Sequence, residues 1–117
     1  MISQKWRDQA FEEIKTLDLL PPATDEWTPR KPTYAAVAQA RTLLNTTDEA
    51  KISPPYIMPT IDGGIDFEWT RNERELDIAV SSGGSIEYVK LVDRSPLEEG
   101  QLNFHHLAAL TDWLIGD

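Results

Sequence analysis

The sequence predicts an α+β fold with two N-terminal helices, a three- or four-stranded antiparallel β-meander and a C-terminal helix. Apolar residues recur at helical spacing near both ends of the chain. From Tyr56 the apolar period changes to two, as in strands that bury one face. Pro54 and Pro55 separate the two patterns, because proline suits neither a helix interior nor a central strand. We therefore expect a single domain over residues 1–117.

The first predicted helix covers about residues 4–20 and ends at Pro21 and Pro22, which cannot continue its hydrogen bonding. The loop that follows contains Trp27, and we expect its large ring to pack on the core and fix the loop. The apolar stripe of this helix consists of Trp6, Ala10, Ile14 and Leu17, with Phe11 beside it.

Two further helices are predicted at about residues 33–45 and 103–115, each with a polar residue at the N-cap position. Thr33 begins the first and Asn103 the second, since both side chains can accept a hydrogen bond from a free backbone N–H. The expected stripe of the first helix consists of Tyr34, Val37, Ala40 or Arg41, and Leu44. That of the second consists of Phe104, Leu107, Leu110 or Ala108, and Leu114.

Strands are predicted at about residues 56–58, 65–70, 75–80 and 85–91, and residues 93–102 are expected to form a polar loop. Placing Thr70 opposite Glu75 brings the apolar residues of neighbouring strands together on one face, which a slip of one residue would destroy. The predicted pairs are Trp69–Leu76, Phe67–Ile78, Ile65–Val80, Val80–Ile86, Ile78–Tyr88, Met58–Ile65 and Tyr56–Phe67.

Composition excludes several classes of protein. The 117 residues contain no cysteine, which excludes disulfides and thiolate metal sites. The chain has neither an apolar run of about 20 residues nor a secretory apolar segment, so a cytoplasmic location without membrane contact is expected. The net charge of -9 lies almost entirely in residues 56–117, which disfavours direct nucleic-acid binding and favours basic partners.

The predicted register also places carboxylates together on the other face of the sheet, with Glu68 directly opposite Asp77. Opposed like charges destabilise a strand pair, so an external partner that neutralises them is expected. Apolar residues beside the acids at the outer edge would complete an interface. The candidate partner-binding residues are Asp66, Glu68, Asp77, Glu87, Val89 and Leu91.

Three other uses of these residues remain open. The carboxylates could be an ordinary solvated face of a one-sided sheet. Asp66, Glu68 and Asp77, together with His105, could serve a metal-dependent or acid–base enzyme, although no metal-binding loop spacing accompanies them. The chain could also be a structural subunit that pairs with a second copy of itself.

Motifs for nucleotide or nucleophilic chemistry are missing from the sequence, and no cofactor is predicted. The glycine pairs Gly63-Gly64 and Gly83-Gly84 suit hairpin turns, which often need positive φ angles. His105 and His106 are adjacent, so on a helix they point about 100° apart, which is unsuitable for joint metal binding. We expect one of them to pack and the other to be exposed.

The stretch PTIDGGIDFEW at residues 59–69 resembles the signature P-T-x-D-G-G-[IV]-x-[LF]-E-W of a family of small bacterial proteins found in cyanobacteria and in other soil and water bacteria. Trp27, Pro32, Ala36 and Ala40 also fit the family, whereas Thr28 begins a segment that replaces its usual tyrosine-glycine pair. The resemblance covers about residues 4–91. It implies a compact, cytoplasmic, non-enzymatic protein and carries over no catalytic residues.

Together these observations favour a non-catalytic acidic binding or regulatory protein that docks on a basic partner protein. Small size and negative charge are typical of antitoxins, immunity proteins and inhibitors that cover a basic cleft.

Overall fold

A computed structural model describes residues 5–22 and 24–116 and confirms the α+β class, with five strands instead of three or four. Residue 4 of the predicted first helix, like the termini of the predicted domain, lies outside the described residues. The elements are α1 (Arg7–Leu17), α2 (Tyr34–Thr46), β1 (Tyr56–Pro59), β2 (Ile65–Arg71), β3 (Arg74–Val80), β4 (Ile86–Val92), β5 (Ser95–Gln101), a 3-10 turn (Phe104–His106) and α3 (Leu107–Ile115).

The five strands form an antiparallel meander in the order β1-β2-β3-β4-β5, and the helices pack on one face of it. Phe67 and Trp69 of β2 are buried there with their rings stacked, the centroids lying 6.0 Å apart. The predicted pairing of β2 with β3, and of β3 with β4, is confirmed throughout. None of the described helices has the length and apolarity needed to cross a bilayer.

The predicted register of β1 is wrong by one residue. Ile57, and not Tyr56, lies opposite Phe67, and Met58 lies opposite Asp66. Three consecutive apolar residues in β1 make the alternation ambiguous, so the local pattern could not select the side chain that faces the helices. Tyr56 is consequently 66% exposed on the outer side of the sheet.

The predicted polar loop at residues 93–102 is also wrong, because most of it forms β5. The turn before it uses Asp93 and Arg94 at φ 51° and 68°, without the glycine that usually signals such a hairpin. Every side chain of β5 is exposed, so no apolar alternation marks it, and Pro96 suits its position at the sheet edge.

In the helical layer the stripe Trp6, Ala10 and Ile14 is confirmed as buried. Two aromatic predictions are wrong: Trp27 is 75% exposed and does not fix its loop on the core, and Tyr34 is 89% exposed. Helix α2 does not bury Tyr34 against its neighbours. It buries two alanines and two leucines instead: Ala36, Ala40, Leu43 and Leu44. The size of the Tyr34 side chain therefore did not predict its burial, because alanines allow α2 to pack closely.

Thr33 caps α2 as predicted and also ties the helix to the sheet. Its Oγ1 accepts a hydrogen bond from the Ala36 N–H at 3.1 Å and donates one to the Ser82 carbonyl oxygen at 2.6 Å. Asn103 likewise accepts a bond from the His105 N–H, although a 3-10 turn precedes α3.

Replacing Thr33 by alanine is expected to lower the free energy of unfolding by about 1–2 kcal/mol, because both hydrogen bonds are lost. Urea unfolding followed by circular dichroism measures the change. Thr42→Ala is the matched control, since that exposed hydroxyl bonds only to Ala38 in its own helix and its loss should cost less than about 0.5 kcal/mol. Equal losses in the two variants would contradict the role of Thr33 in joining α2 to the sheet.

Candidate functional site

The turns at both ends of β2 hold the register that sorts its side chains between the two faces. Gly63 has φ 91°, a backbone conformation that favours glycine. Gly64 has no such angle, but a Cβ atom there would lie 2.3 Å from the Val80 carbonyl oxygen, so only glycine fits. At the other end Asn72 takes φ 56° in the connection to β3. This local geometry keeps Trp69 inward and Glu68 outward.

The outer face is the side of the sheet opposite the helices, and acidic residues dominate it. All four predicted carboxylates lie there, together with two that were not predicted as site residues. Its carboxylates are Asp66, Glu68, Glu75, Asp77, Glu87 and Glu99.

No lysine or arginine of the five strands shares this face. Arg74 and Lys90 point to the helical side, where both lie over the Trp113 ring at 5.4 and 5.2 Å from its centroid. Lys90 also pairs with Glu98 at 3.3 Å. The ion pairs found among residues 5–22 and 24–116 include none of the outer-face carboxylates. The negative charge of the outer face is therefore uncompensated within the described chain.

Three carboxylates form the centre of this face. One oxygen atom each of Glu68, Glu75 and Asp77 lies within 4.8 Å of the other two, and all three residues are partly buried. Oδ1 of Asp77 is buried and has no hydrogen-bond partner among the described residues. We call these three residues the acidic cluster.

Burial, followed by contact with the Glu75 carboxyl group and the charges of Glu75, Glu68 and Asp66, raises the pKa of Asp77 to about 7. Burial and the charge of Asp62 also raise the pKa of Asp66. Near neutral pH the acidic cluster therefore holds a proton that a nearby positive charge would displace. By donor type the cluster suits a cationic side chain or a hard divalent cation.

Apolar side chains accompany the acids. Val89 and Leu91 lie on the outer face and are partly buried, but the prediction that they form the outer edge is wrong because β5 pairs alongside β4. The corrected register of β1 adds Tyr56 and Met58 on the opposite side of the cluster. The central acids of the outer face, on β2 and β3, thus lie between two apolar borders, with Glu87 and Glu99 beside the second border.

Among the carboxylates and the apolar border residues of the outer face, four were not predicted as site residues: Glu75, Glu99, Tyr56 and Met58. The predicted pairing of Thr70 with Glu75 also places Glu75 outward, so the register itself contained that signal. Glu99 could not be found because β5 has no apolar alternation, and Tyr56 and Met58 could not be found because β1 reads equally well in two registers.

The histidines lie elsewhere. His105 and His106 belong to the 3-10 turn before α3, and both are exposed, so the expectation that one of them packs is wrong. Neither joins the cluster of potential metal-binding carboxylates found in the described residues. An acid–base pair of His105 with Asp66 or Asp77 is therefore not assembled on the outer face, which lies on the other side of the sheet from the helical layer.

Comparison with protein-family models, with curated proteins and with solved structures gives no match to this chain. The resemblance of residues 59–69 to a bacterial signature therefore stays a prediction.

Proposed function

We propose that this chain is a non-catalytic, cytoplasmic binding protein whose outer face docks on a basic surface of a partner protein. The observation that carries the proposal is the uncompensated charge. Six carboxylates share the outer face, to which the five described strands contribute no lysine or arginine: Asp66, Glu68, Glu75, Asp77, Glu87 and Glu99. Antitoxins, immunity proteins and inhibitors use this kind of complementarity to cover a basic cleft.

The electrostatic argument rests on the cost of the cluster in the free protein. Glu68 lies directly opposite Asp77, and opposed like charges weaken a strand pair by about 0.2–1 kcal/mol. A lysine or arginine from a partner would remove this repulsion by placing a positive charge beside the acidic cluster. Docking therefore recovers free energy that the isolated fold lacks, and it also accelerates encounter with a basic surface.

The apolar borders of the outer face supply the hydrophobic area that a stable complex needs besides complementary charge. Tyr56 and Met58 on one side, with Val89 and Leu91 on the other, offer area whose burial stabilises a complex. Tyrosine at 66% exposure is a frequent anchor of interfaces because its ring buries area while its hydroxyl keeps a polar contact. The face thus combines features of a protein interface rather than of a merely solvated sheet.

Replacing Glu68 and Asp77 together by lysine is expected to leave the fold intact and to abolish capture of the partner. Reversing two central charges against a basic surface should weaken binding at least 100-fold, that is by about 3 kcal/mol or more. Affinity capture from a lysate of the native host, with identification of the retained protein by mass spectrometry and direct binding to the purified partner, measures the effect.

The matched control reverses two exposed acids away from the outer face, as Glu12→Lys with Glu26→Lys, and should retain the same partner. A neutral pair, Glu68→Gln with Asp77→Asn, tests the face without adding positive charge and should bind weakly. Recovery of the same partner by the lysine double variant would overturn the proposal, as would a partner without a basic surface.

Two further measurements test the competing uses of the outer face, which are metal binding and self-association. Capture should persist in a chelator, and a complex that dissociates with chelator and reforms with Mg²⁺ or Ca²⁺ would instead favour a metal site at the acidic cluster. Sedimentation of the purified chain should give a monomer; a dimer that the lysine double variant disrupts would instead favour self-association.

A further inference from the structure

An open groove of about 420 Å³ lies at one end of the outer face, between the turn at residues 60–64 and the turn at residues 81–85. Its volume falls in the range of about 300–1,000 Å³ that is typical of binding pockets. The groove continues from the outer face, because Asp66 of β2 and Glu87 of β4 belong to both.

The groove is lined by apolar, hydroxyl and acidic side chains. Ile61, which is 48% exposed, and Ala79 provide apolar surface. Asp62, Asp66 and Glu87 provide the carboxylates, and no lysine or arginine of the described ranges, 5–22 and 24–116, lines the groove. A long side chain with an apolar stem and a positive end would match both parts.

The two turns that form the groove are held by their own hydrogen bonds. Thr60 Oγ1 donates to Asp62 and accepts from the Gly64 N–H at 2.8 Å. In the other turn the hydroxyl groups of Ser81 and Ser85 lie 2.8 Å apart, and the Ser81 N–H donates to the Ser85 carbonyl oxygen at 2.8 Å. A preformed site loses little conformational entropy on binding, which favours a small contact.

The charges in the groove repel one another in the free protein. Burial, followed by the charge of Asp62, raises the pKa of Asp66. None of the ion pairs in the described part of the chain includes Asp62, Asp66 or Glu87.

We propose that this groove anchors a single arginine side chain of the basic partner, with the aliphatic stem against Ile61 and Ala79 and the guanidinium among Asp62, Asp66 and Glu87. The inference rests on the proposed function and adds the residue type that the partner inserts. Arginine fits better than lysine because its planar group carries five donors and can reach carboxylates on different strands at once.

The test is a titration of the isotopically labelled chain with a capped Gly-Arg-Gly peptide, followed by amide chemical shifts. Matched peptides contain citrulline, which is a neutral isostere of arginine, or lysine. The shifts are expected to concentrate on the two turns, to vanish with citrulline and to be weaker with lysine. Asp66→Asn with Glu87→Gln should weaken arginine-peptide binding about tenfold, whereas Glu13→Gln with Glu26→Gln should leave it unchanged.

The amide spectrum of each variant shows at the same time whether it is folded. If the neutral pair fails to fold, Glu87→Gln alone, at an exposed position, replaces it and should still weaken binding. No shifts at the turns at millimolar peptide, equal binding of citrulline, or undiminished binding by the groove variant would each overturn the inference. Shifts centred on Glu68 and Asp77 instead would overturn the groove as the anchor while leaving the proposed function standing. Capture by the lysine double variant would overturn that function independently of the groove.

Discussion

Replacing Gly64 by alanine is expected to lower the free energy of unfolding by about 3 kcal/mol, the largest effect of any single substitution proposed for this chain. A Cβ atom at this position would lie 2.3 Å from the Val80 carbonyl oxygen and 3.1 Å from Thr60 Oγ1. Neither oxygen atom can move away easily. Val80 belongs to the ladder that pairs Ile65, and Thr60 Oγ1 already accepts the Gly64 N–H.

The substitution is also expected to change the outer face, because Gly64 directly precedes the first residue of β2. Relief of the clash requires the start of β2 to move away from the end of β3, which loosens the pairs that hold the register. The same displacement moves Asp66, so the groove should lose its shape together with the stability of the sheet.

Denaturant unfolding measures this loss, and Gly83→Ala is the matched control. A Cβ atom at Gly83 would meet only Ser81 Oγ at 3.8 Å, and its φ angle is not in the left-handed region, so the change should stay within about 0.5 kcal/mol. A Gly64→Ala variant as stable as Gly83→Ala would show that the approach of β2 to Val80 does not require glycine.

The second large effect concerns pH and Asp77. Its pKa is raised to about 7 in the folded protein, from about 4 in an unfolded chain. Between these values the folded protein binds a proton that the unfolded chain has lost. The contribution of Asp77 is therefore fully present below pH 4 and is lost as the pH rises through about 7.

The chain is consequently expected to be more stable near pH 5 than near pH 8, by about 1–2 kcal/mol from Asp77. This figure is well below that for a fully buried group, because solvent screens the partly exposed carboxylate. Asp77→Asn should remove most of this dependence and raise stability at pH 8. Urea unfolding at half-unit steps from pH 4.5 to 8.5 measures both results.

The control for this prediction is Glu13→Gln, which removes an exposed carboxylate from α1 and should leave the slope between pH 5 and 8 as in the parent chain. An unchanged slope in Asp77→Asn would contradict the assignment of the proton to the acidic cluster. A partner that supplies a positive charge should also lower the pKa of Asp77, so the slope should flatten in the complex.

Prediction from sequence succeeded where apolar alternation was unambiguous. In β2, β3 and β4 a single register puts Phe67, Trp69 and Ile78 on one face, and the structure adopts it. The opposite placement of Glu68 and Asp77 follows from the same period of two, so the central acids of the outer face could be found from the chain alone.

Prediction failed where the local pattern of apolar residues does not decide how a segment pairs or which of its side chains are buried. The apolar run of β1 allows two registers, and β5 buries no side chain, so only pairing with a neighbouring strand decides their positions. Exposure of Trp27 and Tyr34 likewise depends on what else covers the core, which the size of a side chain does not reveal.

The sequence by itself determined the helical and strand segments with clear periodicity, the register of the three central strands and the sign of the charge on the outer face. Only the tertiary structure decided the fifth strand, the side of Tyr56, the burial of Asp77 Oδ1 and the groove between the two turns. The physical reason is that side-chain alternation is a property of neighbours in the chain, whereas burial and the pKa of a carboxylate depend on atoms brought close by folding.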